Sequence, residues 1–174
     1  MRTLERLAAR QQLLAQQIQA VDQDLADLLK AEPELARQLT SVPGIGRTTA
    51  LVVVAETNGF ILVENERQLA SYAGLDVVQR QSGLSAGATR ISRRGNVRLR
   101  TALYLPAVSS LRYNPQQKAF YARWRARQPS GKPGVMAVLR QLLLLCYSLW
   151  KNDRPYDPQY HPAHLAEKEV APAT

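Results

Sequence analysis

Cysteine is almost absent from this chain of 174 residues, which contains Cys146 and no other. A single thiol excludes an internal disulfide and any zinc site built on cysteines, and it fits a reducing, cytoplasmic setting. The N-terminal residues contain no apolar segment of the kind found in a signal peptide. The most apolar run, residues 135–150, is shorter than a membrane span and includes Arg140 and Gln141, so we expect a buried core helix and no membrane partner.

Acidic residues are missing from a long internal segment. Between Val77 and Asn152 there is no aspartate or glutamate, whereas the same segment holds fourteen lysines and arginines. The rest of the chain carries nine basic and fourteen acidic residues, so the formal net charge of +9 arises from this segment. An ordinary solvated face mixes both signs of charge. The segment therefore indicates a surface that binds phosphates, and the partner we expect is a nucleic acid.

Apolar residues near the N-terminus follow a heptad pattern. Seven of the eight seam positions are apolar, and the seam consists of Leu4, Leu7, Gln11, Leu14, Ile18, Val21, Leu25 and Leu28. The spacing is that of the a/d seam of a coiled coil, in which Gln11 fixes the register. The alternative is one amphipathic helix packed on its own domain. Because no second heptad helix follows, the pattern predicts a homo-oligomer that assembles through this helix.

The remaining pattern predicts a mainly α-helical protein. After a coiled-coil helix over residues 1–32, we expect a compact helical domain over residues 33–152 and a disordered polar tail over residues 153–174. Residues 76–92 have no helical period but contain β-branched residues and glycines, which predicts a loop or a short β-hairpin. Residues 129–134 predict a linker loop before the core helix. The tail contains His161 and His164 without a third ligand, so no metal site is expected.

The stretch LTSVPGIGRTTALVVVAE, residues 39–56, predicts two helices joined by a tight hairpin. Pro43 cannot continue a helix, and Gly44 and Gly46 permit positive φ and the close approach of another backbone. Arg47 and Thr48 then lie at the start of the second helix, where free N–H groups attract phosphate. A helix-hairpin-helix that grips nucleic-acid backbone is one interpretation, and an ordinary corner of a helical bundle is the other.

A serine surrounded by arginines forms the next candidate site. Ser82 precedes a glycine, and six arginines lie within eighteen residues of it: Arg80, Arg90, Arg93, Arg94, Arg98 and Arg100. Guanidinium groups can lower the pKa of a hydroxyl and balance the charge of a phosphodiester under attack. From the residues alone, a simple Ser-Gly turn with phosphate-binding arginines is the stronger interpretation. Further on, Tyr113, Phe120, Tyr121 and Trp124 lie among basic residues, where core packing is favoured over base stacking.

The order of these blocks resembles a known family. P-G-I-G, then Q-L-A-S-Y-A-G-L, then S-G, then I-S-R-R-G-N-x-R-L-R, over about residues 39–125, is similar to the C-terminal transposase domain of the insertion-sequence 110/116/902 family, which includes Piv-type DNA invertases. The resemblance implies a DNA recombinase whose serine attacks DNA, and it places that serine on Ser82, with Ser85 as the competitor. It also implies a structured guide RNA as a partner.

The resemblance leaves one part of the family unmatched. Members also carry a RuvC-like domain whose acidic residues bind divalent metal, and we find no such domain before the heptads. Asp22, Asp24 and Asp27 fall on a face of the heptad helix, which is typical of solvated residues. The expectation is therefore the C-terminal part of a transposase, with no cofactor in this chain and Mg²⁺ required only together with a RuvC-like domain. The alternative is a catalytically silent nucleic-acid-binding or inhibitory fragment.

Overall fold

A computed structural model describes residues 2–31, 33–78, 81–82, 85–86, 90–127 and 130–159. Within these residues the protein is mainly α-helical, as predicted. The helices are α1 (Arg2–Ala31), α2 (Pro33–Thr40), α3 (Arg47–Thr57), α4 (Glu66–Tyr72), α5 (Val97–Tyr113), α6 (Pro115–Arg127) and α7 (Gly131–Lys151). Four two-residue strands lie between α4 and α5, namely β1 (Val77–Val78), β2 (Gln81–Ser82), β3 (Ser85–Ala86) and β4 (Arg90–Ile91).

The hydrophobic core lies around α5 and α7. Helix α5 contributes Leu99, Leu103 and Ala107, and α7 contributes Val138, Leu142 and other residues that are fully buried. Helices α2 and α3 and the segment after α3 complete this core with Leu35, Leu39, Val42, Ile45, Ala50, Val53 and Phe60. Helix α5 is therefore covered by protein on one side, and its opposite side faces solvent.

Helix α7 is the one described helix that is long and apolar enough to cross a membrane by length and composition. Half of its apolar window is buried inside the protein, which agrees with the predicted core helix. The predicted linker over residues 129–134 was wrong for residues 131–134, because α7 begins at Gly131. Pro133 is accommodated because an N–H in the first helical turn has no partner inside the helix.

Helix α1 is a single helix of 30 residues, about 45 Å long at the usual rise per residue. The heptad seam is open along it, since Leu4, Leu7, Leu14, Ile18 and Val21 are all exposed. The helical part of the heptad prediction is confirmed. Its assembly into a coiled coil stays a prediction.

The strands form two antiparallel pairs, as the prediction of a short β-hairpin over residues 76–92 requires. Val77 and Val78 of β1 pair with Ile91 and Arg90 of β4. Strands β2 and β3 lie between β1 and β4 in the sequence and pair with each other. The chain passes from α4 into β1 and returns through β4 toward α5.

The start of the predicted tail is ordered, which corrects that prediction for residues 153–159. Asp153 accepts a hydrogen bond from Gln38 Nε2 at 2.6 Å. The backbone N–H of Tyr156 donates to Ser41 Oγ, and its hydroxyl donates to Asn114 Oδ1 at 3.1 Å. These polar contacts attach the segment to α2 and to the junction of α5 and α6. Residues 160–174, including His161 and His164, lie outside the described residues.

Of the four aromatic residues that lie among basic ones, three pack inside the protein, as their spacing predicts, and one is exposed. Phe120 and Tyr121 pack against the core, and Trp124 lies against Gly134 of α7. Tyr113 is exposed, and the Arg112 guanidinium lies 6.0 Å from the centre of its ring.

Candidate nucleic-acid interface

The start of α3 is open to solvent. Gly46 occupies the N-cap with φ −88°, and no side chain in the described part of the chain caps the first turn by a hydrogen bond. Arg47 and Thr48 are exposed, and a Cβ built on Gly46 meets nothing within 4 Å. The first N–H groups of a helix carry partial positive charge. This end of α3 can therefore receive a phosphate without rearrangement of the protein.

Gly44 approaches the backbone of another helix of this protein. It has φ +103°, a region that favours glycine, and a Cβ there would lie 3.0 Å from Pro106 O and 3.2 Å from Ser110 N. The backbone that Gly44 allows to approach is thus that of α5. Gly44 fixes the turn between α2 and α3 on the core, and it is Gly46 that faces solvent.

A second group of candidate residues lies in the loop between β4 and α5, residues 92–96, which we call the arginine loop. Gly95 of this loop packs directly on Gly74 at the end of α4. A Cβ on Gly95 would lie 2.5 Å from both Gly74 N and Tyr72 O. Neither position has room for a side chain, so the two sequence blocks that contain these glycines meet backbone to backbone.

Backbone hydrogen bonds hold the arginine loop in place. Ser92 N donates to Asp76 O at 2.8 Å, Arg93 N to Gly74 O at 3.1 Å, and Asn96 N to Tyr72 O at 2.7 Å. Arg93 adopts φ +55°, an uncommon conformation for a non-glycine residue. Arg93 and Arg94 are both exposed. The loop therefore presents two guanidinium groups to solvent from a fixed backbone.

Arg100 has a role inside the protein that the sequence did not indicate. Its guanidinium donates to the carbonyl oxygens of Ala73 at 2.7 Å and of Asn96 and Arg93 at 3.3 Å. These contacts satisfy the C-terminal carbonyl of α4 and two carbonyls of the arginine loop. Arg100 thus holds the loop that carries Arg93 and Arg94.

Glu56, which sequence reasoning did not select, lies at the centre of this arrangement. Its carboxylate accepts a hydrogen bond from Asn96 Nδ2 at 2.7 Å and another from Arg98 Nη1 at 3.1 Å. Both contacts favour the charged form, so the pKa of Glu56 is lowered from its ordinary value, first by Asn96 and then by Arg98. An acidic residue in the last turn of a helix opposes the helix dipole. The position of Glu56 in the last turn of α3 was therefore the one sequence signal that it has a polar partner elsewhere in the protein.

Asn96 connects Glu56 to the start of α5. Its side-chain oxygen caps α5 by accepting from Leu99 N at 3.1 Å, while its amide nitrogen donates to Glu56. Tyr72 supports the same corner by donating its hydroxyl to Glu56 O at 2.8 Å. The arginine loop, α3, α4 and α5 are therefore joined at one point.

The candidate residues fall into two groups that α3 separates. Arg47 and Thr48 lie at its first turn, and Glu56, which contacts Arg98, lies near its last residue. The rise of an α-helix over these eleven residues is about 15 Å. A nucleic-acid backbone is long enough to contact both groups, whereas a single phosphate is not.

The serine candidates lie in the inner strand pair. Ser82 of β2 and Ser85 of β3 are backbone partners. The register thus places the two competitors for the nucleophile opposite each other, and Arg90 lies in the outer pair. Arg80 lies outside the described residues, as do the side chains of both serines. Over the described part of the chain, no three of His, Cys, Asp and Glu lie close enough to hold a metal ion.

The sequence blocks that meet in this interface match a family of DNA-acting proteins. Residues 36–122 match the model of the Transposase IS116/IS110/IS902 family. The chain belongs to this family. The matched residues run from α2 into α6 and include the start of α3, both strand pairs and the arginine loop.

Curated relatives extend the similarity over most of the chain. A pilin gene-inverting protein of Moraxella lacunata is 35% identical over 153 residues, which are 83% of this chain and 46% of the relative. An uncharacterised protein of insertion element IS110 from Streptomyces coelicolor is 30% identical over 142 residues, 82% of this chain and 35% of the relative. The transposase for insertion sequence element IS1111A of Coxiella burnetii is 37% identical over 92 residues, 53% of this chain and 25% of the relative. The family acts in DNA transposition and recombination, and this chain spans less than half the length of these relatives.

Proposed function

We propose that this chain binds DNA as the C-terminal part of a serine-bearing transposase. The observation that supports this most is the arginine loop, because two glycines, three backbone hydrogen bonds and Arg100 fix a short segment that exposes Arg93 and Arg94. Two guanidinium groups that a fixed backbone holds exposed to solvent suit a phosphate backbone. The start of α3 supplies a second phosphate site in the manner of a helix-hairpin-helix.

The chemistry we propose is attack by Ser82 on a DNA phosphodiester. Its hydroxyl oxygen forms a bond to phosphorus, and the bond from phosphorus to the deoxyribose oxygen of the leaving strand breaks. The proton lost by the serine balances the proton gained by the leaving oxygen, and the DNA end becomes linked to the protein through a phosphodiester. Guanidinium groups would neutralise charge on the non-bridging oxygens.

DNA binding at the start of α3 can be tested by Thr48→Asp. A carboxylate in the first helical turn stabilises the helix but repels phosphate, so folding is preserved while affinity for duplexes of any sequence falls by about fivefold. The matched control is Thr3→Asp, which makes the same change in the first turn of α1. Fluorescence anisotropy measures both. Equal affinities for the two variants would mean that the start of α3 does not contact DNA.

Salt dependence tests the electrostatic part of the proposal. If about six phosphates are contacted, the logarithm of affinity should fall against the logarithm of salt concentration with a slope near −5. Replacing Arg93 by Gln should reduce the size of the slope by about 0.9. A slope near zero for the native chain would refute DNA binding altogether.

The nucleophile is tested by covalent linkage. A denaturing gel with labelled element-end DNA should show a protein–DNA adduct that Ser82→Ala abolishes and Ser85→Ala retains. We expect the adduct only when a RuvC-like domain, divalent metal and a structured guide RNA are added, since this chain spans part of its relatives. The reverse pattern would assign the attack to Ser85.

The second candidate function is a catalytically silent or inhibitory fragment that acts by oligomerisation. The open apolar seam of α1 favours it, because such a seam binds a matching helix of another copy. Adding the chain to a full-length family transposase should then lower recombination, and Leu14→Glu should remove that inhibition. Absence of the adduct under every condition above would favour this second function.

A further inference from the structure

The solvent-facing side of α5 is unusually apolar. Outside α1, no described element carries more large exposed hydrophobic side chains; those of α5 are Val97, Tyr104, Leu105, Val108 and Tyr113. Leu105 at the middle of the helix is 72% exposed. Other residues of the same helix, Leu99, Leu103 and Ala107, pack in the core. Apolar groups concentrated on the outer side of a helix indicate a contact with something else.

Two arginines lie in line with Leu105 on this side. Arg98 precedes it by seven residues and Arg112 follows it by seven, and two turns of an α-helix return a side chain to nearly the same direction. The arginines are thus separated by about 21 Å along the axis, and Tyr104, Leu105 and Val108 lie between them. Both are exposed, and the Arg98 side chain is 80% exposed. Its ionic contact with Glu56 uses Nη1, and the guanidinium has four further N–H donors.

Charge decides which partner fits this side of α5. A second copy packed antiparallel on it would bring Arg98 of one protomer near Arg112 of the other. Glu56 offsets part of the charge of Arg98 within each protomer, but residues 77–152 contain no aspartate or glutamate that could compensate Arg112. A polyanion meets no such repulsion. The major groove of B-DNA is about 12 Å wide, admits one α-helix, and presents the methyl groups of thymine to apolar side chains.

We propose that the solvent-facing side of α5 enters the major groove of duplex DNA, with Leu105 against thymine methyl groups and Arg98 and Arg112 on the flanking phosphates. The inference rests on the DNA binding proposed above and names a third contact surface for it. The contact selects DNA over duplex RNA for two reasons. The major groove of A-form RNA is too deep and narrow for a helix, and uracil lacks the methyl group.

The methyl contact can be tested by removing the methyl from the DNA. The native chain is titrated by anisotropy against an A·T-rich duplex and against the same duplex with uracil in place of thymine. Loss of each contacted methyl should weaken binding about fourfold, the ratio given by burial of one methylene-sized group. Leu105→Ala should bind more weakly than the native chain and should not distinguish the two duplexes. Arg112→Gln should retain the discrimination and reduce the salt slope by about 0.9.

The matched control is Ile61→Ala, which removes an aliphatic side chain that is 74% exposed outside α5. This variant should discriminate between the duplexes as the native chain does. Equal binding of both duplexes by the native chain would overturn the inference, even where the Thr48→Asp result upholds DNA binding. A Leu105→Ala variant that binds DNA normally but sediments as a smaller species would also overturn it and would assign this side of α5 to a second copy.

Discussion

Replacing Gly95 with alanine should destabilise the protein through a backbone clash. The added Cβ would lie 2.5 Å from Gly74 N, 2.5 Å from Tyr72 O and 2.9 Å from Gly74 Cα. All three are backbone atoms, so no side-chain rotation relieves the contact. Tyr72 O also accepts the hydrogen bond of Asn96 N, and Gly74 O accepts that of Arg93 N. Separation of the two segments would therefore break the bonds that fix the arginine loop.

The expected cost follows from these contacts. Overpacking at a rigid site costs about 1–3 kcal/mol, and strain or loss of loop hydrogen bonds adds to it. The lower entropy of an unfolded chain with alanine offsets about 0.4–1 kcal/mol. A net loss of about 2 kcal/mol should lower the melting temperature by roughly 4–8 °C for a chain of this size. Affinity for DNA should fall as well, even well below the melting temperature, because the arginine loop is displaced.

Thermal unfolding followed by circular dichroism measures the first effect, and anisotropy at 20 °C the second. Gly46→Ala is the matched control, since it adds the same methyl where nothing lies within 4 Å. It should cost less than about 1 kcal/mol, the part due to a poorer N-cap residue. A Gly95→Ala variant as stable as the native chain, or no less stable than Gly46→Ala, would refute the close packing of the two loops.

Three further predictions concern separate parts of the molecule. The lowered pKa of Glu56 means that its contacts stabilise the fold above the ordinary value of 4.5 and lose this effect as pH falls through the lower folded-state pKa. Glu56→Gln should therefore flatten the acid side of a stability–pH profile measured by urea unfolding. Burial raises the pKa of Cys146 to about 12, so the thiol should resist a thiol reagent at pH 8 in the native chain and react in urea. The protonated thiol is favoured in the folded state, so the free energy of unfolding should decrease as pH rises from about 9 toward 12. Deletion of residues 1–31 should convert an oligomer to a monomer in sedimentation, and a monomeric intact chain at tens of micromolar would contradict the coiled coil.

Local signals in the sequence predicted the helices well. Pro33 begins α2, Asn58 ends α3 in a left-handed conformation, and Gly74 follows the end of α4 with φ +66°. Each of these positions is set by the conformational range of one residue. The period of apolar residues supplied the rest of the helical pattern. Such signals act within one or two turns, so they can be read without the tertiary structure.

The roles of individual site residues depended on contacts between distant positions. Gly44 packs on residues more than sixty positions later, Glu56 contacts Arg98 across 42 positions, and Gln38 reaches Asp153 across 115. Neither the period of apolar residues nor any short motif indicates which distant positions come into contact. The contacts of Gly44 and Arg100 within the protein could therefore not be predicted, and their contact with DNA stays a prediction. For the same reason Glu56 was missed and residues 153–159 were taken for a disordered tail.

The same distant contacts fix the spacing of the two phosphate-binding groups. The arginine loop ends at Asn96, the N-cap of α5, and the turn before α3 packs through Gly44 on Pro106 and Ser110 of the same helix. Helix α5 thus separates the two attachment points by 10 to 14 residues, about 15–21 Å, in agreement with the spacing along α3, or about four to six base-pair steps of B-DNA. A DNA hairpin with a stem of four base pairs should then reach one group, and a stem of fourteen both. The salt slope should be clearly steeper for the longer stem in the native chain, and Thr48→Asp should reduce that difference. Equal slopes for both stems would show that one group alone contacts the duplex, and the rigid spacing along α5 would then have no part in binding.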